Sequence, residues 1–126
     1  MNEARRIAIL STGGTIEKTY SESSGALSNE RSVLEIMLSQ LELDGVEIDR
    51  VPVMNIDSLE MDQADHERIV KVASAYAESH DGVIITHGTD RLPLTGELLV
   101  ERVGERPRIP IILTAAMRPY ELRNTD

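Results

Sequence analysis

Three short segments hold most of the groups with which this sequence could do chemistry: Ser11-Thr12-Gly13-Gly14-Thr15, Thr86-His87-Gly88-Thr89-Asp90 and Thr114-Ala115-Ala116-Met117-Arg118. In the first, paired glycines permit positive φ and close backbone approach. Their N–H groups can then form a nest for an anion or a developing oxyanion, with the Thr15 hydroxyl at the same turn. The plain alternative is a tight turn after a strand, its threonine capping local backbone. Neither the Walker A spacing nor G-x-G-x-x-G is present, which disfavours a nucleotide site. In the second segment, the Thr89 hydroxyl beside the Asp90 carboxylate can position a proton carrier and hold a substrate ammonium group. Equally, either residue can cap a helix beginning near Leu92. His87 has the titration range of a general base, although such a histidine is more often simply hydrogen-bonded beside a sheet.

Asp57-Ser58-Leu59 forms a fourth group, in which Ser58 can donate to a carboxylate or shape a turn. Arg118-Pro119 can bind an anion or serve as surface structure. His66 and His80 have no ligand spacing, and no metal site is read. Glu60, Asp62, Asp65 and Glu67 read as the solvated start of a helix.

Composition narrows the partners. The chain has 126 residues, with 13 basic and 22 acidic side chains and a formal net charge of −9. That balance opposes contact with a phosphate backbone, and aromatic platforms for stacking bases are scarce: no Phe, no Trp, and only Tyr20, Tyr76 and Tyr120. No nucleic-acid partner is expected. Without cysteine there are no disulfides or thiolate sites, which fits a reducing compartment. The apolar run Ile7-Ala8-Ile9-Leu10 is too short for a signal-peptide core or a membrane span. The expectation is a cytoplasmic protein that contacts no membrane.

These groups need a frame, and the hydrophobic pattern supplies one. Arg6–Thr12 is a continuous aliphatic run closed by glycine, the pattern of a strand buried on both faces. A polar, serine-rich stretch from Glu17 to Arg31 is long for a loop within a domain. Ser32 and Glu35 have capping-box spacing, and Val33, Leu34, Met37, Leu38 and Leu41 recur at helical intervals, so a helix is predicted over Ser32–Glu42. A second strand is read over Val46–Met54 and a turn over Asn55–Met61. A helix then starts near Asp62 to Asp65, with Ile69, Val70, Ala73, Tyr76 and Ala77 on its apolar face. Gly82–Thr86 reads as a third strand, Leu92–Val103 as a third helix and Ile109–Thr114 as a fourth strand. The alternation predicts an α/β fold in one domain over 1–126: three layers around a doubly wound, mostly parallel sheet. In such sheets ligands bind beyond the carboxyl ends of the strands, where the strand order reverses. The three small-residue segments fall at such ends.

Thr12-Gly13-Gly14-Thr15-Ile16, Asn55-Ile56-Asp57-Ser58, Thr86-His87-Gly88-Thr89-Asp90 and Ala116-Met117-Arg118-Pro119, in this order, resemble the bacterial-type L-asparaginases over essentially the whole chain. The resemblance implies hydrolysis of L-asparagine to L-aspartate and ammonia through an acyl-enzyme, without metal or organic cofactor, in a homo-oligomer. It implies Thr15 as nucleophile and Thr89 in a second threonine cluster that activates water or the attacking group. Asp90 would bind the substrate ammonium and Ser58 the α-carboxylate, with Asp57 and Thr89 also among the substrate-binding residues. Backbone around Ala116 would lie near the reacting carboxamide. Tyr20 matches the tyrosine of the family's mobile loop, making Glu17–Asn29 a lid. Two departures qualify the match. The family pairs Thr89 and Asp90 with a lysine further along than Asp126, whereas the lysines here are Lys18 and Lys71, so the chain reads as an N-terminal portion or a short form. Leu59 stands where many periplasmic relatives carry a glutamine that contacts substrate. The alternatives are a non-catalytic aspartate- or asparagine-binding module and an amidohydrolase with another amide substrate.

Overall fold

The computed structural model describes residues 5–13, 45–104 and 107–115 with their side chains, and 19–21 and 26–28 as backbone. In chain order the elements are β1 (Arg5–Ser11), a short ribbon of β2 (Thr19–Ser21) and β3 (Ala26–Ser28), β4 (Val46–Pro52), α1 (Gln63–Ala77), β5 (Gly82–Thr86), α2 (Leu92–Val103) and β6 (Ile111–Thr114). Four strands make one sheet in the order β4-β1-β5-β6, and every neighbouring pair is parallel. The α/β fold with a parallel sheet is therefore as expected. The helix predicted over Ser32–Glu42 lies outside the described residues.

Local chemistry explains the helix limits. Asp62 caps α1 from an extended backbone and accepts from the Asp65 N–H at 2.9 Å, while the Asp65 carboxylate accepts from the Asp62 N–H at 3.1 Å. This reciprocal box satisfies donors that an open helix start leaves bare. α2 begins with Pro93 in its first turn, where a missing N–H costs nothing, and stops at Gly104 with φ +97°. Ile69, Val70 and Ala73 of α1 and Leu98 and Leu99 of α2 bury against Ala8, Leu10, Val83 and Ile85 of the sheet. Full burial of each large aliphatic side chain contributes roughly 1.5–3 kcal/mol. The opposite sheet face carries Ile9, 5% exposed, and Ile112 at the β6 edge, 52% exposed.

Two predicted strands are shortened. β4 ends at Pro52 rather than Met54, because Val53 and Met54 turn off the ladder and both donate to the Ser11 carbonyl, at 2.9 and 3.3 Å. β6 starts at Ile111, since Pro110 has no N–H to give and contributes only its carbonyl, which accepts from Val83 at 3.0 Å. Within the stretch read as a loop, β2 and β3 pair antiparallel, with Tyr20 opposite Leu27.

Candidate active site

Within the four-stranded sheet, β4 follows β1 in sequence and lies on one side of it, while β5 lies on the other, so the strand order reverses between β1 and β5. At that point the strand ends are tied together. The buried Thr12 hydroxyl donates to the Thr86 carbonyl at 2.6 Å. The His87 N–H reaches the Thr114 carbonyl at 2.9 Å, and Ile56 donates to the Thr12 carbonyl at 3.0 Å. The segment from Val53 to Met61 is thereby laid across the end of β1.

Two glycines make room for it. Gly13 has φ +109°, and a Cβ there would lie 2.7 and 2.8 Å from the carbonyl oxygen and nitrogen of Ile56. A Cβ on Gly88 would lie 2.6 Å from Ser58 Oγ and 2.8 Å from Ser58 Cβ. Ser58 is thus seated directly against the turn that follows β5. It opens a one-turn 3-10 helix, Ser58–Glu60, capped by Asp57, whose carboxylate accepts from the Leu59 N–H at 3.1 Å. Ser58 is fully buried, and its Oγ accepts a long bond of 3.4 Å from the Arg91 N–H, which leaves the hydroxyl proton available for donation. The Arg91 guanidinium in turn donates to the Met61 carbonyl at 2.8 Å, holding the far end of the segment. Leu59 projects outward, 57% exposed.

Thr89 and Asp90 are both exposed at the end of β5. Neither caps α2: the N-cap is Arg91, and no side chain of the cap bonds the helix start. Among the described residues, the N–H groups of Gly88, Thr89 and Asp90 donate to no carbonyl. Among the described residues, the Thr89 hydroxyl, the Asp90 carboxylate and three consecutive N–H groups beside Ser58 have no hydrogen-bond partner. Thr15, Lys18, Ala116 and Arg118 lie outside the described residues, and Tyr20 contributes only its place in β2. Lys71 lies on the outer side of α1, in a groove with Glu67 and Arg102, away from the strand ends. Among the described residues no group of histidines and carboxylates is arranged to hold a metal ion.

His87 is the hydrogen-bonded histidine that the sequence favoured, and it has company the sequence did not reveal. Its ring is fully buried, with Nδ1 at 2.7 Å from the Gly88 carbonyl and Nε2 at 2.9 Å from Thr95 Oγ1. Burial pushes its pKa below the ordinary histidine value of 6.5, the Gly88 carbonyl opposes that, and nearby His66 adds to the depression. An imidazole held neutral in this way serves structure rather than acid–base exchange with solvent. Thr95, His66 and Arg91 support the site from positions where no local motif marks them.

Glycine-relieved turns at the switch point of a parallel sheet define an open α/β protein, a class in which ligands are commonly received beyond the carboxyl ends of the strands. Residues 6–126 match the family described as "Asparaginase, N-terminal", and the chain belongs to that family. It is 32% identical over 123 residues to an L-asparaginase of Thermococcus kodakarensis, covering 96% of this chain and 37% of that protein. It is also 30% identical over 122 residues to a glutamyl-tRNA(Gln) amidotransferase component of Thermoplasma acidophilum, covering 97% of this chain and 30% of that one. The solved structure of the thermostable L-asparaginase from Thermococcus kodakarensis superposes with a TM-score of 0.82 at 30% identity, again over 96% of this chain and 37% of that one. The chain thus spans about a third of the length of these relatives.

Proposed function

We propose that this chain forms the substrate-holding part of an amidohydrolase that releases ammonia and L-aspartate from L-asparagine. The observation that carries this reading is the seating of Ser58 against Gly88, which brings the Ser58 hydroxyl to the turn bearing Thr89 and Asp90. An α-amino acid offers the matching charges, an ammonium for Asp90 and a carboxylate for Ser58, with Asp57 fixing the turn that presents Ser58. Thr15, two residues beyond the left-handed Gly13, is the nucleophile. Its hydroxyl attacks the side-chain carboxamide, the C–N bond breaks, ammonia leaves with the added proton, and water releases aspartate from the ester. A threonine hydroxyl is a weak nucleophile, so this step needs a base and donors for the oxyanion; Thr89, Tyr20 and backbone near Ala116 are the groups assigned to that work. On this reading the protein is a cytoplasmic homo-oligomer, and no helix among the described residues is long and apolar enough to cross a membrane.

A second reading rests on the similarity to the amidotransferase component, which is nearly as high as that to the asparaginase. There the same attack would free ammonia for a second acceptor. Ammonia release from L-asparagine and from L-glutamine, by this chain and by Thr15→Ala, separates the cases. Release that vanishes in Thr15→Ala supports the threonine mechanism, and equal release from both proteins contradicts it. L-aspartate binding without release by either assigns the chain the role of a binding module.

A further inference from the structure

Beneath the Gly88-Thr89-Asp90 turn lies a closed chain of polar side chains that the reaction above does not use. Thr95 Oγ1 stands 2.9 Å from His87 Nε2 and 2.6 Å from His66 Nδ1, and the two rings stack at 6.1 Å with 14° between their planes. All three side chains are almost wholly buried, and His66 Nε2 has no hydrogen-bond partner among the described residues. Hydrogen-bond logic leaves one direction for this chain. A carbonyl only accepts, so His87 must donate to Gly88 through Nδ1–H. A neutral His87 then has a bare Nε2, which must accept the single proton of Thr95. The Thr95 oxygen is left to accept, so His66 must donate through its Nδ1–H, and a neutral His66 then has a bare Nε2. His66 and Thr95 lie in the opening turns of α1 and α2.

We propose that Thr95 and His66 are positioning residues of the candidate site, acting through His87 to fix the Gly88 peptide plane and with it Thr89 and Asp90. The proposal rests on the reading of Thr89 and Asp90 as substrate-facing groups. Because a trans peptide carries C=O and N–H on opposite sides, holding the Gly88 carbonyl inward aims the Thr89 N–H the other way. A reversed proton at any link would leave two acceptors or two donors facing each other in a dry interior, which is costly enough to lock the arrangement. The orphaned His66 nitrogen is the terminus of this one-way chain.

Long-range proton–nitrogen NMR of the imidazoles at neutral pH, with backbone amide shifts, tests this on the 126-residue chain. The expected spectrum shows protonated Nδ1 and bare Nε2 on both His66 and His87. Thr95→Val, which keeps the shape and removes the hydroxyl, should lose the His66 Nδ1–H signature and move the Thr89 and Asp90 amides. Thr95→Ser should restore both. An Nε2–H form or a charged ring at either histidine overturns the proposal, as do Thr89 and Asp90 amides that stay in place in Thr95→Val. If Thr95→Val does not fold, the wild-type ring protonation and the Thr95→Ser spectrum, expected to be wild-type-like, decide it. Where L-aspartate binds, Thr95→Val should weaken it roughly tenfold, the lower end of what outer supporting partners cost in other sites. The ring spectra do not depend on any ligand, so a failure of aspartate to bind would count against the asparaginase reading alone.

Discussion

The two ends of the sheet carry similar side chains and different backbones. At the carboxyl end lie Thr12, Ser58, His87, Thr89 and Asp90. Toward the amino end, Ser79 Oγ is 2.8 Å from His80 Nδ1, and His80 Nε2 is 2.6 Å from Asp49 Oδ2, which Arg6 also reaches at 3.2 Å. By side-chain type this second cluster, hydroxyl to imidazole to carboxylate, is closer to a hydrolytic set than the first. Its backbone is committed, however. Ser79 and His80 donate to the Tyr76 carbonyl, and Asp81 donates to Arg6, so no N–H of these three residues is left for a developing oxyanion. At the carboxyl end the ladder stops, glycines turn the chain, and the N–H groups of residues 88–90 are unpaired among the described residues. Among the described residues the two ends thus differ in unpaired backbone donors more than in reactive side chains.

The glycines are where this contrast breaks most easily. Gly13→Ala should produce the largest effect, because the left-handed φ alone costs roughly 1–3 kcal/mol and the new Cβ would press on the Ile56 backbone. The measurement is a urea unfolding midpoint, expected to fall well below wild type. Gly88→Ala carries no left-handed φ and presses on the Ser58 side chain, with the Ser58 backbone nitrogen at 3.3 Å, so it should lower the midpoint less while displacing Ser58. Equal, negligible losses in both variants would mean that the loops are not packed as described.

Acid separates the two ends more gently. The His87 pKa is depressed from 6.5 by burial, so its contribution to stability is complete above 6.5 and is lost as pH falls from there toward the folded-state value. Asp49 is depressed from 3.8, first by its bond to His80 and then by Arg6, so its contribution is complete above 3.8 and is lost only as pH falls through its lower folded value. Urea midpoints measured against pH should therefore decline in two stages. Asp49→Asn should flatten only the more acidic stage and His87→Gln only the milder one. A single stage, or loss of the milder stage in Asp49→Asn, would contradict this assignment.

How much of this is legible in the sequence depends on how local its cause is. α2 reads correctly over Leu92–Val103 and α1 from Asp62, because Pro93 and the Asp62–Asp65 box are adjacent in sequence to what they start. Ser58 and the Thr89-Asp90 pair are legible as groups, but their proximity is not. It depends on the absence of a Cβ at Gly88 and on the path of residues 53–61. β2 and β3 escape notice since three-residue polar strands have no periodicity to read. Thr95 cannot be singled out: its partners lie 8 and 29 residues away and are joined only by the fold.

The central claim is that the carboxyl end of the sheet, and not the amino end, receives an α-amino acid. Amide chemical-shift mapping during titration of the 126-residue chain with L-aspartate addresses it directly. Shifts centred on Gly13, Thr15, Ser58, residues 88–90 and Ala116, with Arg6, Asp49, Ser79 and His80 unmoved, are the predicted result. Shifts centred on the His80 cluster, or none at either end at saturating ligand, would contradict it.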